Sequence, residues 1–207
     1  MSKGVVCRLE RKSSPLADTD EHQLFADPFS IEDQPELAGF HCGDSGWSRA
    51  ASEWIKGSEV CDSIEKNNTK VWIFRDRQDA IVGFGSLNET RWKRWPPPDG
   101  PKRRLLYIPQ LGIDVQFHGK PEDPNWRFSN QIMEHLIYEA RQLAIEIRDS
   151  KPASKHVDLL ILHVHKENLK AQRLYHRFSF ERVPDFEENN LYLMSHKLDL
   201  SDRDQDA

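Results

Sequence analysis

The stretch 157-VDLLILHVHKENLKAQRLYHRFSFERV-183 changes its hydrophobic period halfway along, and that change limits the folds open to the chain. Val157 to Val164 form an apolar run that stops at His165-Lys166-Glu167-Asn168, the pattern of a buried strand. A helical pattern follows. Seven residues make two helical turns, so Asn168, Ala171 and Tyr175 share one face. A buried strand feeding a helix is half of a strand–helix–strand unit, which points to an α/β chain.

The remaining segments extend that pattern. Trp47, Ala51, Trp54 and Ile55 are spaced as a helix, with Gly57 as its break. Val71–Phe74 and Ala80–Leu87 read as two strands joined by a polar turn. Three consecutive prolines keep 91-RWKRWPPPDGPKRR-104 from being a strand interior. The run 105-LLYIPQLGIDV-115 reads as one central strand, with Pro109 marking a bulge or splay. A long amphipathic helix starts near Phe128, with Ile132, Leu136, Ala140, Leu143 and Ile147 on its stripe. Residues 190–198 supply a final strand. The expected order is helix, hairpin, strand, helix, strand, helix, strand, with parallel pairing around each strand–helix–strand unit. Residues 1–38 are expected to be an extended, partly ordered segment, 39–198 the folded domain, and 199–207 a disordered acidic tail.

Composition narrows the function classes. A net charge of −5 and a pI near 6.0 give no global support to nucleic-acid binding. No apolar run approaches a membrane span, and the first residues lack the apolar core of a signal peptide. Cys7, Cys42 and Cys61 are odd in number and without metal spacing, which leads to an expectation of reduced thiols in a cytoplasm. His163 and His165 lie on one strand face, but no third ligand has suitable spacing, so zinc is not expected.

Two junctions carry the chemistry. At the first, Gly112-Ile113-Asp114-Val115 leads through a loop to Ser129-Asn130 at the start of the long helix. Unpaired amides and the positive dipole end of a helix N-terminus suit a phosphate, and His118, Lys120 and Arg127 add nearby charge. The alternative is a solvated loop capped by Ser129. The second junction reads Val164, Asn168, Ala171, Tyr175 and Phe178-Ser179-Phe180.

Together these junctions resemble the GNAT family of acetyl-CoA-dependent N-acetyltransferases. That family follows a central strand with Arg/Gln-x-x-Gly-x-Gly/Ala and ends its next unit in V-x-x-x-N-x-x-A-x-x-x-Y-x-x-x-G-F. Ser179 stands where the family prefers glycine. At the first motif, Gln116-Phe117-His118-Gly119 fits the start. Residues 120–125 read as an insertion, and Arg127 and Ser129 occupy the usual glycine positions.

The resemblance implies a GNAT fold: a mixed central sheet splayed at its middle strand, with helices on both faces. It implies acetyl-CoA as co-substrate and direct attack by an amine in a ternary complex. His118, Gly119, Arg127, Phe128, Ser129 and Asn130 would hold the pyrophosphate, Arg127 replacing a backbone contact with a charged one. Ile113 and Val115 would offer amides to the thioester arm, and Asn168 and Ala171 would flank it. Tyr175 would protonate the leaving thiolate. Glu89 and Asp114 are candidate bases, each also readable as a surface or turn carboxylate.

The acceptor would lie between the first helix, the hairpin and residues 91–104. That stretch sets Arg91, Lys93, Arg94, Lys102, Arg103 and Arg104 against Asp99, with Trp92 and Trp95 interleaved. Basic residues among aromatics suit RNA, but a proline-stiffened β-arm packed on the domain or on a second subunit is the favoured reading, because the whole chain is acidic. Phe40-x-Cys42-Gly43 ahead of a helix is similar to the opening of GNAT toxins that acetylate aminoacyl-tRNA. A small amine, a protein amine and an aminoacyl-tRNA therefore stand as acceptor classes, beside a non-catalytic domain that binds CoA or a partner.

Overall fold

The computed structural model describes residues 22–123, 126–152 and 156–201, without the side chains of residues 89–92 and 185. Expectations for residues 1–21 and 202–207 lie outside the described residues.

Helix α1 (Gly46–Lys56) begins where the Ser45 side chain accepts the Ser48 N–H and stops at Gly57. It buries Ala51, Trp54 and Ile55, and α2 (Glu59–Asn67) follows. The hairpin is β2 (Thr69–Arg75) with β3 (Ile81–Arg94), and β4 (Lys102–Ile108) returns beside β3. The prolines are confined to the turn, so residues 91–94 and 102–104 are strand rather than loop. A short β5 (Leu111–Ile113) precedes α3 (Phe128–Ser150), then β6 (Leu159–His165), α4 (Leu169–Arg177), β7 (Glu181–Glu188) and β8 (Leu191–Lys197).

Residues 22–38 are more structured than an extended segment. Phe25–Pro28 form an edge strand, β1, on β2, followed by two short 3-10 turns. Buried Arg75 holds this segment down through Glu36 at 2.7 Å and Asp33 at 3.3 Å. Gln131 of α3 accepts the Leu24 N–H and donates to the His22 and Trp126 carbonyls. At the other end, Leu200 packs against the core and its carbonyl accepts from Arg148.

The sheet runs β1-β2-β3-β4-β6-β8-β7, with β5 also on β3. Strand β4 pairs parallel with β6 around α3, as the βαβ rule requires. Parallel pairing fails around α4: β6 and β8 are antiparallel because β7 intervenes and reverses the chain. Trp72 and Phe74 of β2 face a core with α3 and α4, while Val71 and Ile73 face α1 and α2. Helices thus cover both faces.

The central run is two strands rather than one. Asn88 pairs with Tyr107, whereas Phe84 pairs with Gly112, so the register against β3 slips by one residue between β4 and β5. Pro109 sits in this bulge, and the Ser86 hydroxyl accepts the Gln110 N–H beside it. Beyond Ile108 the chain follows β3 and stops pairing with β6. The sheet opens there.

Candidate active site at the opening of the sheet

Backbone direction decides what the opening offers. Asp114 N–H donates to Val82 and Ser86 N–H to Gln110. In an antiparallel ladder the intervening residues point the other way, so the Leu111 and Ile113 amides face away from β3 toward the gap. The Ile113 carbonyl meets His118 Nε2 at 3.1 Å. Cys42 lies beside the Ile113 amide, its thiol pushed up to about 11, chiefly by burial. A thiol is a weak acceptor. The Val115 N–H is engaged by the His41 carbonyl at 2.7 Å, so the strand amides directed away from β3 are those of Leu111 and of Ile113, the latter with the Cys42 thiol against it. Gly112 is required here, because a Cβ would lie 2.4 Å from the Phe84 ring and 2.6 Å from Cys42 Sγ.

Asp114 is buried and committed. Its carboxylate accepts the His41 N–H at 2.9 Å and the Gln116 N–H at 3.0 Å, capping a 3-10 turn, Val115–Phe117. Glu89 lies on β3 opposite Leu106, and its side chain is outside the described ones.

Between that turn and α3, most amides are used internally: His118 to Val115, Lys120 to Phe117 and Phe128 to Lys120. The amides of Gly119, Arg127 and Ser129 donate to no described residue. Ser129 does not cap α3: Arg127 is the N-cap and supplies no side-chain cap bond. Arg127 Nε is buried without a hydrogen-bond partner among the described residues. These donors, with the dipole of a 23-residue helix, fit an anion. Asn130 opens the same helix and buried Phe128 packs against Phe117. Three large apolar side chains stay in solvent at this end: Val115 (48 % exposed), Trp126 (39 %) and Leu169 (59 %).

On the far side of the opening, Asn168 caps α4 by accepting the Ala171 N–H at 3.2 Å. Tyr175 is buried in the cluster that holds Ile108 and Val164, with Leu111, Ile113 and Ala171 packed against it. Burial pushes its phenol up to about 12, with a smaller contribution from Tyr107. Its hydroxyl has no hydrogen-bond partner among the described residues. The helix ends through Phe180 N–H to the Tyr175 carbonyl, with Ser179 at φ 58°, the left-handed conformation that explains a glycine preference there.

The opposite face carries a second constellation. His163 Nδ1 lies 3.2 Å from the Tyr107 hydroxyl, and His165 stacks on Trp47 of α1 at 4.5 Å. The two histidines thus have different partners, and no cluster of metal ligands occurs among the described residues. Trp95 of the arm packs beside Leu105 and Ile161, and Arg103 pairs with Asp158 at 2.7 Å. The Tyr107–His163 pair was not legible in sequence, since its members stand 56 residues apart.

No family model matches the chain, and no curated protein matches it. Solved structures do. AtaTR bound with acetyl-CoA superposes with a TM-score of 0.61 at 14 % identity, over 84 % of this chain and 94 % of that one. The fold is that of the GNAT acetyltransferases. AtaT complexed with acetyl-methionyl-tRNAfMet gives a TM-score of 0.60 at 14 % identity, covering 84 % and 95 % of the two chains. A GNAT-family acetyltransferase from Staphylococcus aureus Mu50 gives 0.55 at 10 % identity, covering 86 % and 100 %. This chain covers nearly the whole length of each of these neighbours. No helix among its described residues is long and apolar enough to cross a membrane.

Proposed function

We propose that this protein transfers the acetyl group of acetyl-CoA to an amine by direct attack. The observation that carries this reading is a buried phenol with no described partner, Tyr175, beside the point where β5 parts from β6. The Tyr175 ring is buried, but its hydroxyl is not among the fully enclosed polar atoms, so a ligand in the opening can reach it. Acetyl-CoA fits the surrounding donors. The Gly119, Arg127 and Ser129 amides and the Arg127 guanidinium would take its pyrophosphate, with His118, Phe128 and Asn130 around them. Val115 and Leu169 would cover its arm, and Asn168 and Ala171 would flank it. The Ile113 amide would polarise the thioester carbonyl as a single-donor oxyanion site. Tyr175 would give its proton to the departing sulfur.

Release of free CoA thiol from acetyl-CoA, scanned over small amines, peptides and aminoacyl-tRNA, tests the reading. Turnover with some acceptor, lost in Tyr175→Phe, supports it. Binding of acetyl-CoA with no turnover on any acceptor would favour a non-catalytic domain.

An aminoacyl-tRNA is the second reading for the acceptor. Lys93 and Arg94 of the arm border a cavity on the His163 face, and a neighbouring structure, AtaT, is complexed with acetyl-methionyl-tRNAfMet. Growth arrest on expression, relieved by Tyr175→Phe, would support it; normal growth would argue for a different amine. Trp95 packs on its own domain, yet the exposed arm also leaves room for a second subunit.

A further inference from the structure

The acetyl-transfer reading needs a group that removes a proton from the attacking amine, and Asp114, one of the carboxylates read from the sequence, is engaged elsewhere. Asp114 already accepts two backbone amides. We propose that His163 is the general base, held in orientation by Tyr107 and facing a cavity that receives the amine.

Position comes first. Tyr107 pairs with Ile161 and Ile108 with Leu162, so His163 is the first residue of β6 beyond the last β4–β6 pair, at the edge of the opening. Tyr107 and His163 lie on the face of Leu105 and Ile161, whereas Tyr175 lies in the cluster on the α3–α4 face. Acid and base would therefore work from opposite faces of one gap. An amine arriving on one side and a thiol leaving on the other need that arrangement.

The second observation is a cavity of about 200 Å³ on the His163 face, bordered by Lys93, Trp95, Leu105, Phe186 and Leu193. Its walls are mainly apolar, which suits an amine carrying an apolar side chain. The charged groups around His163 are Lys93 and Arg94 from β3 and Glu188 from β7, with the Tyr107 hydroxyl from β4. Burial holds the imidazole below its ordinary pKa, and Lys93 lowers it further against a smaller opposing effect of Glu188. It is neutral at pH 7 and able to accept a proton.

With Nδ1–H donated to the Tyr107 oxygen, Nε2 keeps its lone pair. The amine nitrogen bonds to the acetyl carbon as its proton passes to Nε2. The carbon–sulfur bond then breaks, and Tyr175 O–H supplies the proton that the sulfur takes. Exchange with water resets both residues, and the products are an amide and a free thiol.

The test measures calorimetric affinity for acetyl-CoA and pH-dependent release of free CoA, with water and then leucine methyl ester as nucleophile. His163→Gln should bind acetyl-CoA as the wild type does but lose at least about tenfold in turnover, together with the acidic limb of the pH profile. Lys93→Gln should move that limb to higher pH. Tyr107→Phe should keep the limb and lower the plateau. His163→Gln within twofold of wild type, or an acidic limb that survives in it, would overturn the assignment. A wild type that binds acetyl-CoA yet releases no CoA would overturn it too. A wild type that does not bind acetyl-CoA would instead remove the acetyl-transfer reading on which it rests.

Discussion

Replacing Tyr175 by Phe removes one oxygen and leaves the ring, so its consequences can be worked out from the site. The phenol sits at about 12, while an ordinary thiol lies near ~8.5. Complete proton transfer to a free thiolate would then be uphill by roughly 3.5 pKa units, or about 5 kcal/mol. The desolvation that raises the phenol also raises the proton affinity of a thiolate formed beside it, which narrows the gap. The first contribution is therefore a hydrogen bond to developing negative charge, about 1.5–3 kcal/mol. In rate that is roughly 10- to 150-fold. Because the hydroxyl has no partner among the described residues, its removal should shift Tm by less than about 2 °C. Acetyl-CoA affinity should change by less than about twofold. Thiol release at saturating acetyl-CoA, with a thermal melt on the same sample, separates these effects. A loss of turnover below about threefold, or a Tm fall of more than about 5 °C, would refute this account of the phenol.

Three further outcomes follow from the same geometry. Gly112→Ala pushes a methyl into Phe84 and Cys42, so it should cost about 1–3 kcal/mol in urea denaturation and weaken acetyl-CoA binding by displacing Ile113. Ser179→Gly relieves a left-handed backbone at φ 58° and should add about 0.5–1 kcal/mol of stability, read in the same experiment. His135 and His196 are both held below the ordinary imidazole value, chiefly by burial. Between their folded pKa values and about 6.5 the unfolded chain binds more protons, so stability falls as pH drops through that window. Melts from pH 7 to 5 should show it, and His135→Phe should reduce the slope.

The strand–helix unit at 157–183 was legible because a buried strand and an amphipathic helix each write their period into consecutive residues. Pro109 likewise announced the bulge, since a residue without an N–H cannot sit in a continuous ladder. What that residue alone could not show is that the run becomes two strands on β3. Strands β1 and β7 leave no strand pattern in the sequence for a common reason. Both are edge strands that carry proline and acidic residues, Asp27-Pro28 and Pro184-Asp185, as edges tolerate. The arm of β3 and β4 is charged on successive residues, so it shows no alternation even though it pairs. At the site, Asn168 and Tyr175 were readable at helical spacing. Tyr107–His163 and Trp47–His165 join residues from different elements, and no local pattern records such contacts.

Calorimetric titration with acetyl-CoA, of the wild type and of Arg127→Ala, tests the central claim most directly. The account predicts saturable binding that weakens by roughly tenfold or more in the variant, because the Arg127 guanidinium, its Nε buried, would replace glycine contacts to the pyrophosphate. A folded wild type that does not bind, or a variant that binds as tightly, would contradict it.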